Sequence, residues 1–229
     1  MNNVKIFKSS HEEVSGLPSS NISDSVIGRL PRYYRFLGDL KESGLSRISS
    51  KALSERMGLT ASQIRQDLNC FGGFGQQGYG YNIDLLRQEI GHILGIDAPK
   101  KTIIVGMGNL GKALAQHLKF ESKGFMLIGL FDVKESLIGQ MVRNIPVRNA
   151  AALDEFCRDN RPEVAIITTP REAAQSLSDQ LVKLGVKGFI NFTHYDLTVN
   201  HPEITVENIH LDDKLLTLSY RLKEKAQNE

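Results

Sequence analysis

The feature that most constrains this chain is a glycine-rich turn that directly follows a short apolar run. Residues 101–105 (Lys-Thr-Ile-Ile-Val) have the β-branched composition of a buried parallel strand, and residues 106–111 read Gly-Met-Gly-Asn-Leu-Gly. In this G-x-G-x-x-G spacing the first glycine permits a tight bend, the second admits a pyrophosphate close to the backbone, and the third lets helix and strand pack closely. Residues 112–119 are predicted to form the helix, whose free N–H groups would face the phosphates. The stretch therefore predicts a strand, turn and helix that bind a dinucleotide.

A second apolar run, residues 125–131, ends in Asp132, which lies 21 residues beyond Gly111. A carboxylate at this spacing accepts hydrogen bonds from a ribose 2′-hydroxyl and repels a 2′-phosphate, so NAD(H) is predicted rather than NADP(H). Lys134 would soften that discrimination if its side chain reached the site. The alternative to dinucleotide binding is a glycine turn that only lets the strand and the helix pack closely. The presence of Asp132 at the expected spacing disfavours this alternative. The residues predicted to bind the cofactor here are Gly106, Met107, Gly108, Asn109, Leu110, Gly111 and Asp132.

Apolar and amphipathic segments continue to alternate beyond this acid. The predicted strands and helices are, in order, 145–147, 150–158, 164–168, 170–184 and 188–192. Such alternation indicates an α/β fold with a doubly wound parallel sheet. Ligands bind at the carboxyl ends of the strands in such sheets, so Thr168, Thr169 and Asn191 are predicted to lie near the nicotinamide. Ordinary loop capping explains these three polar residues equally well.

The first half of the chain has a different pattern, in which short helices with capping signals follow one another. Residues 1–22, rich in serine and asparagine, are predicted to be a flexible arm because they offer little apolar surface to bury. A helix over 51–57 is followed, after a short glycine-containing turn, by the capping box Thr60–Gln63 and a helix that starts at Ala61. Two helices joined in this way match the helix-turn-helix motif, whose second helix enters the major groove of DNA.

The second of these helices carries side chains that suit nucleic acids. Glutamine can bond adenine and arginine can bond guanine at the base edges, whereas serine and the backbone near a helix start suit phosphates. The net charge of +2 is too small to indicate nucleic-acid binding, but residues 29–67 carry eight Lys and Arg against four Asp and Glu, a local +4. The alternative is a helical bundle with a solvated polar face. The residues predicted to contact DNA are Arg47, Lys51, Ser62, Gln63, Arg65, Gln66 and Gln77.

Residues 71–81 alternate aromatic residues with glycines around a Gln-Gln-Gly tip. This pattern predicts a hairpin, and a hairpin directly after a recognition helix makes a winged helix. The segment is not a phosphate-binding P-loop, because no Lys-Ser/Thr follows its last glycine. Asn82 is predicted to cap a further helix.

Leucines recur at helical spacing near the C-terminus, at Leu211, Leu215, Leu218 and Leu222. A narrow stripe with nothing after it to cover it is predicted to fold back or to dock on a second subunit, which would give a homodimer. Cys70 and Cys157 lack metal-ligand spacing, and the chain has no apolar run of 18 residues and no export signal at its start. We therefore expect no metal, no membrane segment and a cytoplasmic protein, with Cys70 a buried thiol rather than an oxidation sensor.

These stretches resemble the Rex family of redox-sensing transcriptional repressors over essentially the whole chain after the arm. The resemblance rests on residues 29–35, 61–68, 71–82, 106–111 and 188–192. It implies a homodimer that binds palindromic operator DNA through winged helices, exchanges its C-terminal helices, and is released when NADH binds in competition with NAD⁺. The predicted domains are an arm (1–22), a winged helix (23–96), a Rossmann domain (97–211) and a C-terminal dimerisation helix (212–229).

The chain departs from the family at His117, where members often carry a tyrosine, and at His210, where they often carry an acid. If these positions meet across the dimer, as a tyrosine–aspartate contact does in similar proteins, the contact here would respond to pH. Half-buried histidines with backbone partners are the simpler interpretation.

Two alternatives to a repressor remain. An NAD-dependent dehydrogenase would use His194 or Tyr195 as acid–base, but the chain after Asp132 is used to complete the sheet and leaves no substrate domain. A CoA-binding regulator is disfavoured by the ribose-binding acid. No catalytic residue is therefore predicted.

Overall fold

The computed structural model describes residues 22–71 and 80–227. It divides the chain into two compact units, with the boundary between Leu94 and Gly95. Residues 1–21 and the Gly72–Tyr79 part of the predicted wing, including Gln77, lie outside the described residues.

The first unit is helical with one small sheet. Its elements are α1 (Asp24–Ile27), α2 (Leu30–Glu42), β1 (Arg47–Ile48), α3 (Ser50–Met57), α4 (Ala61–Asn69), β2 (Tyr81–Asn82) and α5 (Ile83–Ile93). The predicted caps are confirmed, because Thr60 Oγ1 accepts from the N–H of Gln63 at 3.1 Å and Asn82 Oδ1 accepts from that of Leu85 at 3.0 Å. The β2 strand pairs antiparallel with β1. A shared core closes the unit, formed by Leu30, Tyr33, Leu37, Leu53, Ile64, Leu68, Ile83, Leu86 and Ile90.

One expectation for this unit was wrong. Cys70 is exposed rather than buried, and its thiol lies 3.3 Å from the carbonyl oxygen of Gln66. The residue follows α4 at its C-terminal cap, where the chain has left the buried stripe of the helix.

The second unit is a seven-stranded sheet flanked by helices. Its elements are β3 (Lys100–Val105), α6 (Asn109–His117), β4 (Phe125–Asp132), β5 (Met141–Val142), β6 (Ile145–Asn149), α7 (Leu153–Asn160), β7 (Val164–Ile167), α8 (Arg171–Lys183), β8 (Gly188–Asn191), β9 (Thr205–Asn208) and α9 (Leu211–Gln227). The strand order is β5-β6-β4-β3-β7-β8-β9, and every pairing is parallel except β5 with β6. Leucine and phenylalanine side chains of α7 and α8 pack on one face, and α6 packs on the other. The predicted doubly wound sheet is thus confirmed.

Several predicted boundaries were wrong, and two strands were missed. Helix α6 begins at Asn109, so the third glycine lies within it. Strand β5 was missed because it is two residues long and turns through Arg143 and Asn144 at φ of 50° and 64°, a hairpin without the glycine that usually marks one. Strand β9 was missed because it lacks an apolar run.

Helix α9 has no buried residue, and its leucines are between 52% and 71% exposed. A cleft of about 400 Å³ lies where the first residues of β3, β4, β7, β8 and β9 meet, and its lining is mostly apolar. Among the described residues, no helix is both long and apolar enough to cross a membrane.

A histidine between two carboxylates fastens the segment before β9 to α8. His201 Nε2 lies 2.6 Å from Asp179 Oδ1, and its Nδ1 lies 3.3 Å from Glu203 Oε1. The hydrogen bond with Asp179 raises the pKa of His201, and that with Glu203 adds to it, against the lowering effect of burial.

This raised pKa predicts a loss of stability with rising pH. The charged histidine contributes fully below the pKa of unfolded histidine, about 6.5, and the contribution disappears as pH rises through the raised folded value. Thermal midpoints of the wild type and His201→Gln should therefore differ most at low pH and converge at high pH. A difference that is constant with pH would contradict this assignment.

Candidate dinucleotide site and nucleic-acid interface

The glycine turn brings the end of β3 and the start of α6 into unusually close contact. Gly106 has φ of +100°, and a Cβ on it would lie 2.8 Å from the carbonyl carbon of Thr168. A Cβ on Gly111 would collide with the carbonyl oxygen of Gly106. Gly108, the N-cap of α6, has open space where its Cβ would be. Two glycines are therefore required by packing, while the middle one leaves room for an anion against the first amides of the helix.

Asp132 lies directly against this turn. Its Oδ2 accepts from the N–H of Met107 at 2.5 Å, and its Oδ1 accepts from the N–H of Lys134 at 2.8 Å. Each carboxylate oxygen can accept more than one hydrogen bond, so acceptor capacity is left for hydroxyl groups. Asp132, predicted to bind ribose from its spacing in the sequence, is thus oriented toward the turn by hydrogen bonds from two backbone amides.

The three polar residues predicted at the strand ends behave differently from one another. Thr168 Oγ1 donates to the carbonyl oxygen of Gly106 at 2.6 Å, so it braces the turn. Thr169 Oγ1 is buried and has no hydrogen-bond partner among the described residues. A buried hydroxyl without a partner costs free energy unless a ligand or water bonds it. Of the three polar residues, Thr169 is therefore the one whose side chain is available to hydrogen-bond a ligand.

Asn191 is fully buried, and its amide is occupied by the protein. Its Nδ2 donates to Tyr195 O at 2.8 Å and to Asn208 Oδ1 at 2.7 Å. Its Oδ1 accepts from the N–H and the hydroxyl of Thr193. The residue joins the ends of β8 and β9, and its predicted contact with a cofactor stays a prediction that requires one of these bonds to break.

The two histidines singled out in the sequence lie in different surroundings. His117 is exposed on α6. His210, just before α9, stacks on His194 with ring centroids 5.6 Å apart, and its Nδ1 lies 3.6 Å from Asp213 Oδ2. Sequence reasoning missed this stack because nothing local links a loop residue to one 16 positions later.

The helix-turn-helix is formed by α3 and α4, and α4 presents the predicted polar face. Ile64 and Leu68 are buried, whereas Arg65 and Gln66 are exposed, as is Ser62. Gln63 is half-buried. Arg65 Nη1 donates to Ser50 Oγ at 3.0 Å, which holds the guanidinium beside the start of α3. Arg47 and Lys51 are exposed in β1 and α3.

A buried ion pair holds α4 in place. Asp67 is 3% exposed and accepts both a bidentate pair from Arg29, at 2.7 and 2.8 Å, and the Tyr33 hydroxyl at 2.8 Å. Burial and this hydrogen bond raise the pKa of Tyr33. Asp67 is one of the four acids counted in the local +4, and no structural role was predicted for it from the sequence. Its position three residues after the buried Ile64, on the same helix face, was the available signal.

Comparisons with known proteins find matches to both halves of the chain. Family models match residues 21–69, described as "Putative DNA-binding protein N-terminus", and residues 97–195, described as "CoA binding domain". A protein of Caldanaerobacter subterraneus named redox-sensing transcriptional repressor Rex is 50% identical over 203 residues, covering 89% of this chain and 90% of its own. One of Clostridioides difficile with the same name is 49% identical, covering 91% and 99%.

Solved structures of one repressor share the fold. The crystal structure of RSP in complex with β-NAD⁺ and operator DNA matches with a TM-score of 0.84 and 46% identity, covering 91% of this chain and 96% of that one. That of RSP with β-NADH matches with a TM-score of 0.82 and 44% identity, covering 91% and 98%.

The glycine turn yields a matched pair of predictions. Gly108→Ala should fold normally, because its Cβ meets open space, yet weaken dinucleotide binding. Gly111→Ala should lower the thermal midpoint of the second unit, because its Cβ cannot be placed without separating α6 from β3. Thermal melts and dinucleotide titrations of the two variants test this. Equal loss of stability in both would contradict the division of roles.

Proposed function

Because the chain belongs to the Rex family of redox-sensing transcriptional repressors, we propose that it is a homodimeric repressor that reports the NADH/NAD⁺ ratio in the cytoplasm. It binds palindromic operator DNA through its winged helices, and NADH bound at the glycine turn releases it, with NAD⁺ competing for the same site. The observation that carries this proposal is the 46% identity and shared fold with a repressor solved together with operator DNA and β-NAD⁺.

The geometry of the second unit fits a dinucleotide. The first amides of α6, beside the open space at Gly108, would hold the pyrophosphate, and Asp132 would accept from the ribose hydroxyls. Thr169 directly follows Thr168, whose hydroxyl is bonded to the glycine turn. The hydroxyl of Thr169 has no partner among the described residues and would bond the nicotinamide half. The bound cofactor supplies a nicotinamide ring that is positively charged when oxidised and neutral when reduced.

The first unit fits a DNA duplex. Arg65 and Gln66 read base edges, while Arg47, Lys51 and Ser62 bind phosphates. Two recognition helices must be separated by about 34–36 Å, or a multiple of it, to enter successive grooves. Rotating one winged helix relative to the other therefore weakens both half-sites together, and a coupling of roughly 1–3 kcal/mol would change the DNA affinity about 5–150-fold.

The dimer is formed through α9 and the open cleft of the sheet. Every apolar side chain of α9 is exposed, including Leu215 and Leu218, and the cleft is lined by the half-buried Phe125 and Ile190 beside the buried Phe189. The described residues of one chain leave the apolar face of α9 exposed and the cleft open, and the helix of a second copy would supply an apolar stripe for the cleft. Exchange of such a helix is a common route to a dimer.

The two alternatives, an NAD-dependent dehydrogenase and a CoA-binding regulator, make different predictions from a repressor. The relatives named above are repressors, and the residues assigned to acid–base chemistry have other partners, since Tyr195 Oη accepts from Asn200 at 3.0 Å and His194 stacks on His210. The "CoA binding domain" match on residues 97–195 makes CoA the ligand to compare directly. The acid at the turn favours a free ribose 2′-hydroxyl over a phosphorylated ribose.

The proposal predicts that NADH releases the protein from an operator-like palindrome. In a fluorescence anisotropy titration, NADH should dissociate the complex, NAD⁺ should oppose this, and NADPH and CoA should have little effect. Asp132→Ala should bind DNA normally and respond weakly to NADH. A wild-type complex insensitive to NADH would refute the redox mechanism, and release by CoA alone would favour the CoA-binding alternative.

Arg65→Ala should weaken binding to the selected site by roughly 1–3 kcal/mol if its guanidinium contacts a base, because a bidentate contact is lost. Binding to random DNA should change little. Arg56→Ala, which removes an exposed cation from the last turn of α3, is the matched control. Equal losses on specific and random DNA would assign Arg65 to a phosphate instead.

Leu215→Asp combined with Leu218→Asp should give a monomer in sedimentation analysis, because two charges would enter an apolar interface. The variant should also lose cooperative binding to a palindrome. Lys214→Asp, a charge change next to Leu215, serves as the control. A double variant that stays dimeric would contradict the assignment of α9.

A further inference from the structure

A brace of side chains ties α6 to the segment that follows Asp132. Lys112 Nζ, one turn into the helix, donates to Gln140 Oε1 at 2.8 Å, and Gln140 Nε2 donates to the carbonyl oxygen of Ser136 at 2.6 Å. Asp132, at the other end of the segment, accepts from backbone N–H groups on both the glycine turn and the segment itself. The hydrogen bonds thus form a ring from the turn, through Asp132 and residues 133–140, back to α6.

The far end of the segment is fixed as well. Gln140 O accepts from Val147 N at 2.9 Å, and Gly139 N donates to Val147 O at 2.8 Å. The hairpin beyond is held by Arg143, whose Nη2 donates to both carboxylate oxygens of Glu121 at 2.9 and 3.0 Å. Residues 133–140 therefore form an arch fastened at both ends.

The arch exposes an apolar side chain beside the acid. Val133, which directly follows Asp132, is 77% exposed. An apolar group left in water next to a carboxylate that is aimed at the turn suits the flat face of a base attached to a ribose.

We propose that Lys112 and Gln140 are positioning residues for the adenosine half of the dinucleotide. The inference rests on the proposed function, since it concerns the same site. The brace orders the arch before binding, so the ligand does not have to supply that ordering free energy. NADH and NAD⁺ differ only in the nicotinamide, so the brace sets affinity for both equally and leaves discrimination between them to other residues.

The test compares Lys112→Met, Gln140→Ala and the double variant, by calorimetry with NADH, NAD⁺ and ADP-ribose. Each single change should weaken binding of all three ligands by one common factor, roughly three- to tenfold, as expected for the one hydrogen bond lost in Lys112→Met or the two lost in Gln140→Ala. The double variant should be no weaker than Gln140→Ala, because that change already removes the hydrogen bond that Lys112→Met breaks. Lys112→Arg, which keeps a donor, should restore binding, and Lys119→Met, an exposed cation just beyond α6, should bind as the wild type does.

Two binding results would overturn the proposal. Normal affinity in Gln140→Ala with loss in Lys112→Met would mean that Lys112 contacts a phosphate directly, and a loss confined to NADH would place the effect at the nicotinamide. Hydrogen exchange of amides 133–140 in the ligand-free protein tests separately whether the brace orders the arch. Exchange should be faster in both single variants than in the wild type, and unchanged exchange would overturn the proposal. A wild type that binds none of the three ligands would defeat the proposed function, whatever the exchange result.

Discussion

The second unit depends on how closely α6 approaches the end of β3. No side chain fits at Gly111, because the carbonyl oxygen of Gly106 occupies the position of its Cβ. That contact fixes the direction of the helix, and with it the direction of the amides at its start. Thr168 and Asp132 then bond the turn from either side, one through a hydroxyl and the other through a carboxylate. The proposed dinucleotide site is therefore preformed by backbone packing, and only a few side chains would be needed to complete it.

The first unit solves a similar problem with a buried charge. The recognition helix must present a polar face while its other face stays fixed. Apolar packing of Ile64 and Leu68 stabilises the position of α4 but does little to fix its orientation. Asp67 fixes the orientation of α4, because the bidentate Arg29 and the Tyr33 hydroxyl must both be aligned with its two carboxylate oxygens. Each unit thus combines apolar burial with a small number of directional polar contacts at the helix proposed to contact its ligand.

Local patterns predicted much of this arrangement, and their limits have a common physical cause. The glycine spacing, the caps at Thr60 and Asn82 and the buried strands follow from interactions over a few residues, so the sequence displays them directly. The burial of Asp67 and the hydrogen bond between Lys112 and Gln140 depend on residues 38 and 28 positions apart. Periodicity does not encode such partners. The predicted role of Asn191 shows the same limit, because its position at a strand end was recognisable while the four bonds that occupy its amide were not.

The uncovered leucines of α9 link the behaviour of the protein to its abundance. Six large apolar side chains on one helix face water in the single chain, which is an unfavourable state that association relieves. For a dimer assembled in this way, the fraction of chains that are paired depends on how many copies a cell contains, since mass action sets that fraction. For the proposed repressor, copy number would then act as a second input beside the cofactor ratio, because dilution of the chain lowers the fraction that is paired.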